Sequence, residues 1–181
     1  MGTPKQLLPY LGSSLLRRAA ATAAASCCHP IVAVLGAFAA QCLPELQDLT
    51  VSSVENSDWA EGMGSSIRVG LNTLFAQSPT SVDAVILMVC DQPLLQAAHL
   101  EALIRVYRAS PCRAVASEYG GTSGVPALFD QTLFPELLGL TGAQGAKSLL
   151  HRYSDATRWI AFPDGAIDID TPADYERFNC P

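Results

Sequence analysis

The chain has few charged residues. They make up 15% of its 181 residues, against roughly 25% in an average globular protein, whereas apolar residues make up 49%. Eleven lysines and arginines stand against seventeen aspartates and glutamates, and no run of basic residues occurs. This balance excludes the usual basic face of a nucleic-acid-binding protein. The apolar content argues against extended disorder and predicts a sizeable core.

Long hydrophobic runs are also lacking. The run from Val82 to Cys90 ends at an acidic residue, well short of the ~20 residues that a membrane span needs. The first residues form neither a secretory signal nor a myristoylation site, because Gln6 stands where serine or threonine is needed. We therefore predict a soluble, cytoplasmic protein without a membrane partner.

The cysteines and histidines are scattered. No C-x-x-C pair occurs, and no histidine stands at metal-ligand spacing from a cysteine, so neither a zinc site nor a Cys–His nucleophile is indicated. Free thiols in a reducing compartment are the simpler interpretation. The residues concerned are Cys27, Cys28, Cys42, Cys90, Cys112, Cys180, His29, His99 and His151.

Strand-like and helix-like segments alternate from end to end. This pattern predicts a single domain, over residues 1–181, with a mostly parallel sheet between two layers of helices, a Rossmann-like α/β/α fold. Strands are predicted near residues 31–35, 49–54, 84–89, 113–117 and 159–162, and helices near residues 13–27, 37–46, 65–74, 99–107 and 144–153, with a last helix from Pro172.

Ligands of such sheets bind beyond the carboxyl ends of the strands, which draws attention to Asp91. It directly follows the apolar strand, and a carboxylate there suits a hard cation such as Mg²⁺. The alternative is an aspartate that caps the next helix. A second acidic group, Asp168-Ile-Asp-Thr-Pro-Ala-Asp174, precedes the last predicted helix. Asp170 is the preferred second ligand there, and Asp168 remains an alternative, since Thr171 and Asp174 fit a helix cap.

Three loops complete the set of candidate residues. Lys5 lies between Gly2 and Pro9 and suits a polyphosphate, although a lone surface lysine is the common alternative. The segment from Gly62 to Ile67 opens a helix and allows close approach of a ligand, or is an ordinary glycine turn with a serine cap. The segment from Gly120 to Ala127 is either a binding loop or a plain turn. P-loop and G-x-G-x-x-G motifs are absent.

Taken in order along the chain, these segments resemble one family. They are Met1-Gly-x-Pro-Lys-Gln-Leu-Leu-Pro9, Trp59 with Gly62-Met-Gly-Ser-Ser-Ile-Arg-x-Gly-Leu71, Asp91-Gln-Pro93, Gly124-Val-Pro-Ala-Leu-Phe129 and Asp168-Ile-Asp-Thr-Pro-x-Asp174. The chain resembles the MobA-like nucleotidyltransferases, in the branch of molybdenum cofactor cytidylyltransferase. The family resemblance implies the nucleotide-diphospho-sugar transferase fold. In the family a first strand and a glycine-rich phosphate loop precede the segment that matches Met1-Gly2. Either the true start lies upstream of Met1, or this protein lacks that strand and much of the nucleotide site.

The resemblance also implies roles for individual residues. Lys5 and Asp91 would be catalytic and would contact the nucleotide, and Asp91 with Asp170 would hold Mg²⁺. Gly62, Gly64 and Ser66 would lie against the nucleobase. The acceptor would face Gly121, Gly124 and Pro126, which belong to the loop of residues 121–127.

The function that this resemblance implies is transfer of a nucleoside monophosphate, CMP from CTP, to a phosphorylated acceptor, with release of pyrophosphate. The acceptor would be the phosphorylated pterin of the molybdenum cofactor, and a molybdoenzyme or its chaperone would be a partner. Two alternatives remain open at this point. One is a non-catalytic module that binds molybdenum cofactor or acts as its chaperone, and the other is a transferase acting on a sugar phosphate.

Overall fold

The structure, a computed structural model, describes residues 4–78, 82–142 and 144–167. Within these ranges the strands fall into three sheets. The strands are β1 (Pro9–Tyr10), β2 (Ser13–Ser14), β3 (Val32–Leu35), β4 (Ser52–Glu55), β5 (Ala84–Leu87), β6 (Ala114–Tyr119), β7 (Thr122–Asp130) and β8 (Thr157–Ala161). The predicted helix from Pro172, together with Asp168, Asp170 and Asp174, lies outside the described residues.

The α-helices are α1 (Leu15–Ala24), α2 (Ala39–Cys42), α3 (Met63–Gln77), α4 (Ala97–Ala109), α5 (Phe134–Leu138) and α6 (Lys147–Arg152). They alternate with these strands as predicted, except that β1 and β2, β6 and β7, and α5 and α6 follow one another without an intervening element of the other kind. Short 3-10 turns occupy Lys5–Leu7, Leu43–Leu46, Trp59–Glu61, Gln131–Leu133, Ser154–Ala156 and Pro163–Ala166. None of the helices in the described ranges is long and apolar enough to cross a membrane.

The helix α1 shows how local sequence sets an element. Ser14 is its N-cap, and the serine hydroxyl accepts a hydrogen bond from the backbone N–H of Arg17 at 3.1 Å. Leu15, Leu16 and Ala20 are buried on the inner side of the helix. The helix predicted near residues 13–27 is therefore confirmed, and it spans Leu15–Ala24.

The largest sheet has the strand order β5-β7-β6-β8 and lies between two apolar layers. Alternate residues of a strand face opposite sides of a sheet. Ala116 and Phe129 belong to the core cluster that contains α5 and α6 residues, whereas Val115 and Leu128 belong to the cluster formed with α4. Apolar residues thus cover both faces, and the predicted α/β/α layering is confirmed.

Strand directions in the largest sheet differ from the prediction of a mostly parallel sheet. The pairs β3–β4 and β6–β8 are parallel, but β7 runs antiparallel to both of its neighbours, β5 and β6. The reason is a two-residue hairpin, because Gly120 and Gly121 have φ angles of +56° and +74°, which such a turn requires. These two glycines are a turn, while Gly124 lies within β7.

Candidate functional site

The structure brings Lys5 and Asp91 together across 86 residues of chain. Lys5 opens the 3-10 turn near the start, and Asp91 follows β5. The lysine Nζ donates to Asp91 Oδ2 at 2.6 Å, with the side chains 33% and 15% exposed respectively. Lys5 is therefore not a lone surface lysine. Asp91 is not a helix cap, because α4 begins at Ala97 with Gln96 as its N-cap and no side-chain cap.

Residues of α1 fasten the turn that carries Asp91. The Arg18 guanidinium donates to the carbonyl of Pro93 at 3.5 Å, and the Thr22 hydroxyl donates to the carbonyl of Leu95 at 3.3 Å. The same guanidinium lies over the Tyr10 ring, 4.8 Å from its centroid. The Asp91 carboxylate thus lies on a turn that hydrogen bonds from α1 hold in place.

Gln92 connects this turn to the segment predicted to bind the acceptor. Its side chain is 7% exposed, and its Nε2 donates to the carbonyl of Val125 at 3.1 Å. Its Oε1 is buried without a hydrogen-bond partner among the described residues. The structure therefore places Gly124 and Pro126, which flank Val125, next to the Asp91 turn. Gly121 instead lies at the hairpin tip, where a Cβ would meet nothing within 4 Å.

The segment from Gly62 to Ser66 forms a second group, after β4. Asn56 is 1% exposed and donates through Nδ2 to the hydroxyls of Ser65, at 2.8 Å, and Ser66, at 3.0 Å. Its Oδ1 accepts from the backbone N–H of Asp58 at 3.0 Å. One buried amide therefore orients both serines at the start of α3.

The same segment differs in detail from the serine-capped turn offered as its alternative. The helix α3 begins at Met63, earlier than predicted, with Gly62 at φ +117° as its N-cap and no side-chain cap. The Ser65 hydroxyl instead bonds to the carbonyls of Asp58 and Gly62 at 3.0 and 2.8 Å. Gly62 is thus needed for its positive φ.

Gly64 is needed for a close approach between two backbones. A Cβ at this position would lie 3.0 Å from the carbonyl carbon and oxygen of Leu140. The Gly64 N–H also donates to the carbonyl of Gly142 at 3.2 Å. The start of α3 is therefore pressed against the loop of residues 140–142. The Gly64 N–H is engaged with protein and is therefore not available to a ligand.

The thiol next to Asp91 is held in its neutral form. Burial, with a smaller contribution from the Asp91 carboxylate, raises the pKa of Cys90 to about 12, so the thiolate form needed for nucleophilic attack is scarce near neutral pH. Within the described residues, no three acidic, histidine or cysteine side chains cluster in a way that could hold a metal. The predicted pairing of Asp91 with Asp170 stays a prediction, since Asp170 lies outside the described ranges.

Two residues of these groups were missed by sequence reasoning, Asn56 and Gln92. Asn56 directly follows β4, whose last residue is Glu55, and its backbone N–H donates to the carbonyl of Leu35 at 2.8 Å. Gln92 follows Asp91 in the sequence. Position after a strand, the signal that identified Asp91, points to both residues as well.

Known proteins share this architecture. Solved nucleotidyl- and cytidylyltransferases that are 15–19% identical share the fold, with TM-scores between 0.65 and 0.75. The fold is therefore that of the nucleotide-diphospho-sugar transferases. The model of one family, described as the MobA-like NTP transferase domain, matches residues 1–157.

Individual relatives agree with the family. Nicotine blue oxidoreductase of Paenarthrobacter nicotinovorans is 30% identical over 157 residues, or 82% of this chain and 74% of that protein. The purine catabolism protein PucB of Bacillus subtilis (strain 168) is 32% identical over 66% of this chain, which is 57% of PucB. Rv0371c of Mycobacterium tuberculosis H37Rv, solved in complex with manganese, is 30% identical with a TM-score of 0.77, over 98% of this chain and 92% of that chain.

The chain belongs to the MobA-like NTP transferase domain family, and it is a nucleotidyltransferase.

Proposed function

We propose that residues 1–181 act as one domain that transfers CMP from CTP to a phosphorylated pterin, the acceptor of molybdenum cofactor cytidylyltransferases. An acceptor phosphate oxygen attacks the α-phosphorus of the nucleotide. A new phosphate–phosphate linkage forms, the bond to the β-phosphate oxygen breaks, and pyrophosphate leaves. The observation that carries the proposal is the 2.6 Å contact between Lys5 and Asp91, two residues of opposite charge from distant parts of the chain.

The donor chemistry of this pair fits a divalent cation and a polyphosphate. A partly exposed carboxylate such as Asp91 is a hard oxygen ligand of the kind Mg²⁺ prefers, and Asp170 is the proposed second ligand. When bound, Mg²⁺ would neutralise phosphate charge and orient the reacting groups. That a relative was solved in complex with manganese supports the dependence on a divalent ion. Lys5 would then turn from Asp91 toward the triphosphate and neutralise its oxygens.

The group at the start of α3 supports a role in holding the nucleobase. The Ser66 hydroxyl accepts from Asn56 Nδ2 and donates to no acceptor among the described residues, so its proton would be available to a ligand. Cytosine offers N3 and O2 as acceptors for such a donor. Gly62 and Gly64 would let the base approach the backbone closely, so that all three residues would contact the nucleobase.

The acceptor would lie against Gly124 and Pro126, with Gly121 at the adjoining hairpin tip. Gln92 ties this strand segment to the Asp91 turn at 3.1 Å, so acceptor and nucleotide would meet at the carboxylate. A molybdoenzyme or its chaperone is the proposed recipient of the product. A non-catalytic cofactor-binding module and a sugar-phosphate transferase are the outcomes that compete with this proposal.

The experiment is a pyrophosphate-release assay with a panel of substrates. CTP and GTP are each offered with phosphorylated molybdopterin or with a sugar phosphate, in the presence of Mg²⁺ or of EDTA. We expect release with CTP, molybdopterin and Mg²⁺, and none with EDTA. Release with the sugar phosphate but not with molybdopterin would show that the acceptor is a sugar phosphate. Tight binding of molybdopterin without any release would show a binding module instead.

A further inference from the structure

Two carbonyl groups of β7 lie outside the ladder of the sheet. Ala116 of β6 pairs with Ala127, but the next residue, Ser117, pairs with Gly124. Val125 and Pro126 therefore form a bulge that faces no residue of β6. Buried carbonyls that lose their ladder partners need other donors, and this bulge is part of the segment proposed to face the acceptor.

Side chains from two parts of the chain, the Asp91 turn and β6, supply those donors. The Val125 carbonyl accepts from Gln92 Nε2 and from the Tyr119 hydroxyl, both at 3.1 Å. The Pro126 carbonyl accepts from the Ser117 hydroxyl at 2.6 Å. Gly124 makes this possible, because a Cβ there would lie 2.7 Å from the Tyr119 hydroxyl oxygen.

His99 completes this network from α4. The Ser117 hydroxyl has a single proton, which it donates to the Pro126 carbonyl, so the contact of 2.8 Å between His99 Nε2 and Ser117 Oγ requires the histidine to be the donor. The imidazole stacks on Phe162 with ring centroids 4.3 Å apart. Burial lowers the pKa of His99, which is consistent with a neutral ring that carries its proton on Nε2.

We propose that His99 is a positioning residue for the acceptor. It acts through Ser117 on the Val125–Pro126 bulge and so sets the distance between the acceptor segment and the Asp91 turn. This inference rests on the proposed function, since it assumes that the phosphorylated acceptor binds along this segment. Since His99 acts through Ser117, its loss should weaken acceptor binding without impairing nucleotide binding.

The test compares two His99 variants with a matched control. His99→Phe keeps a ring against Phe162 and removes the Nε2 donor, whereas His99→Gln restores an amide donor. Tyr107→Phe is the control, because Tyr107 is on the same helix and donates to Asp130 at the other end of β7. The KM for molybdopterin and the KM for CTP are measured separately for each variant. Hydrogen–deuterium exchange of β7 is measured as well.

We expect His99→Phe to raise the acceptor KM at least about fivefold, the effect of one lost hydrogen bond, with the CTP KM unchanged within about twofold. His99→Gln should recover most of the loss, and Tyr107→Phe should change neither KM. Exchange should accelerate in residues 122–126 for His99→Phe only. Equal changes in both KM values, or unaltered exchange at the bulge, would overturn the inference. A wild-type protein without transfer activity would refute the proposed function, while the exchange data would still decide the role of His99.

Discussion

Asn56 offers a prediction whose size follows directly from the structure. Asn56→Ala removes three hydrogen bonds of a side chain that is 1% exposed: two donated to Ser65 and Ser66, and one accepted from Asp58. Since a buried hydrogen bond contributes about 1 kcal/mol net, the free energy of unfolding should fall by about 3 kcal/mol. In a domain of this size each kcal/mol lowers Tm by about 2–4 °C, so a fall of about 6–12 °C is expected.

The assay is thermal unfolding followed by circular dichroism, with Asn72→Ala as the control. Asn72 is exposed on α3, the helix that Asn56 helps to begin, and its substitution should change the free energy of unfolding by less than about 0.5 kcal/mol. The KM for CTP should rise in Asn56→Ala, because Ser65 and Ser66 lose their common donor. A fall in Tm no larger than that of the control would refute the role given to Asn56.

Two further predictions concern packing and acid stability. Gly64→Ala should lower the free energy of unfolding by about 1–3 kcal/mol, because a Cβ would lie 3.0 Å from the Leu140 carbonyl; urea unfolding measures this, and an unchanged midpoint would contradict it. Burial acts to raise the pKa of Asp130, but hydrogen bonds from Thr132 and Tyr107 outweigh it and lower the pKa below the ordinary value of 3.8. A depressed carboxyl pKa stabilises the fold above its ordinary value, and this contribution is lost as pH falls through the folded-state pKa. The difference in Tm between wild type and Tyr107→Phe should therefore shrink as the pH is lowered from neutral to below 3.8, and a difference that grows would contradict this origin.

Much of the fold was predictable because the apolar pattern reports directly on burial. Ala84–Leu87 is an apolar strand with residues in both core layers, as predicted from its composition. Strand β7 was missed because Gly124 and Pro126 interrupt its pattern, and these residues usually argue against a strand interior. The structure accommodates both in a bulge whose carbonyls bond to side chains, and a long-range network of this kind leaves no local signal.

Some residues of the candidate site could likewise be predicted from the sequence, and others could not. Asp91 follows an apolar strand, so its place at the strand end could be predicted from position alone. The position of Lys5 in the sequence gave no such indication. Only the family resemblance predicted that Lys5 and Asp91 share a site, and the structure then showed their contact. Asn56 was overlooked because an asparagine after a strand is also typical of an ordinary turn. Its two serine partners are 9 and 10 residues further along the chain, a spacing that no local motif predicts.

The central claim is that Lys5 and Asp91 work as one catalytic unit. The most direct measurement is kcat/KM for pyrophosphate release by Lys5→Met, Asp91→Asn and the double variant, with the exposed Asp155→Asn as control. Each single variant should keep its fold and lose at least about 100-fold in activity, with the larger loss in Asp91→Asn. The double variant should be no worse than the more impaired single variant, since residues of one unit are not additive. Near-normal turnover in either single variant, or losses that multiply in the double variant, would contradict the claim.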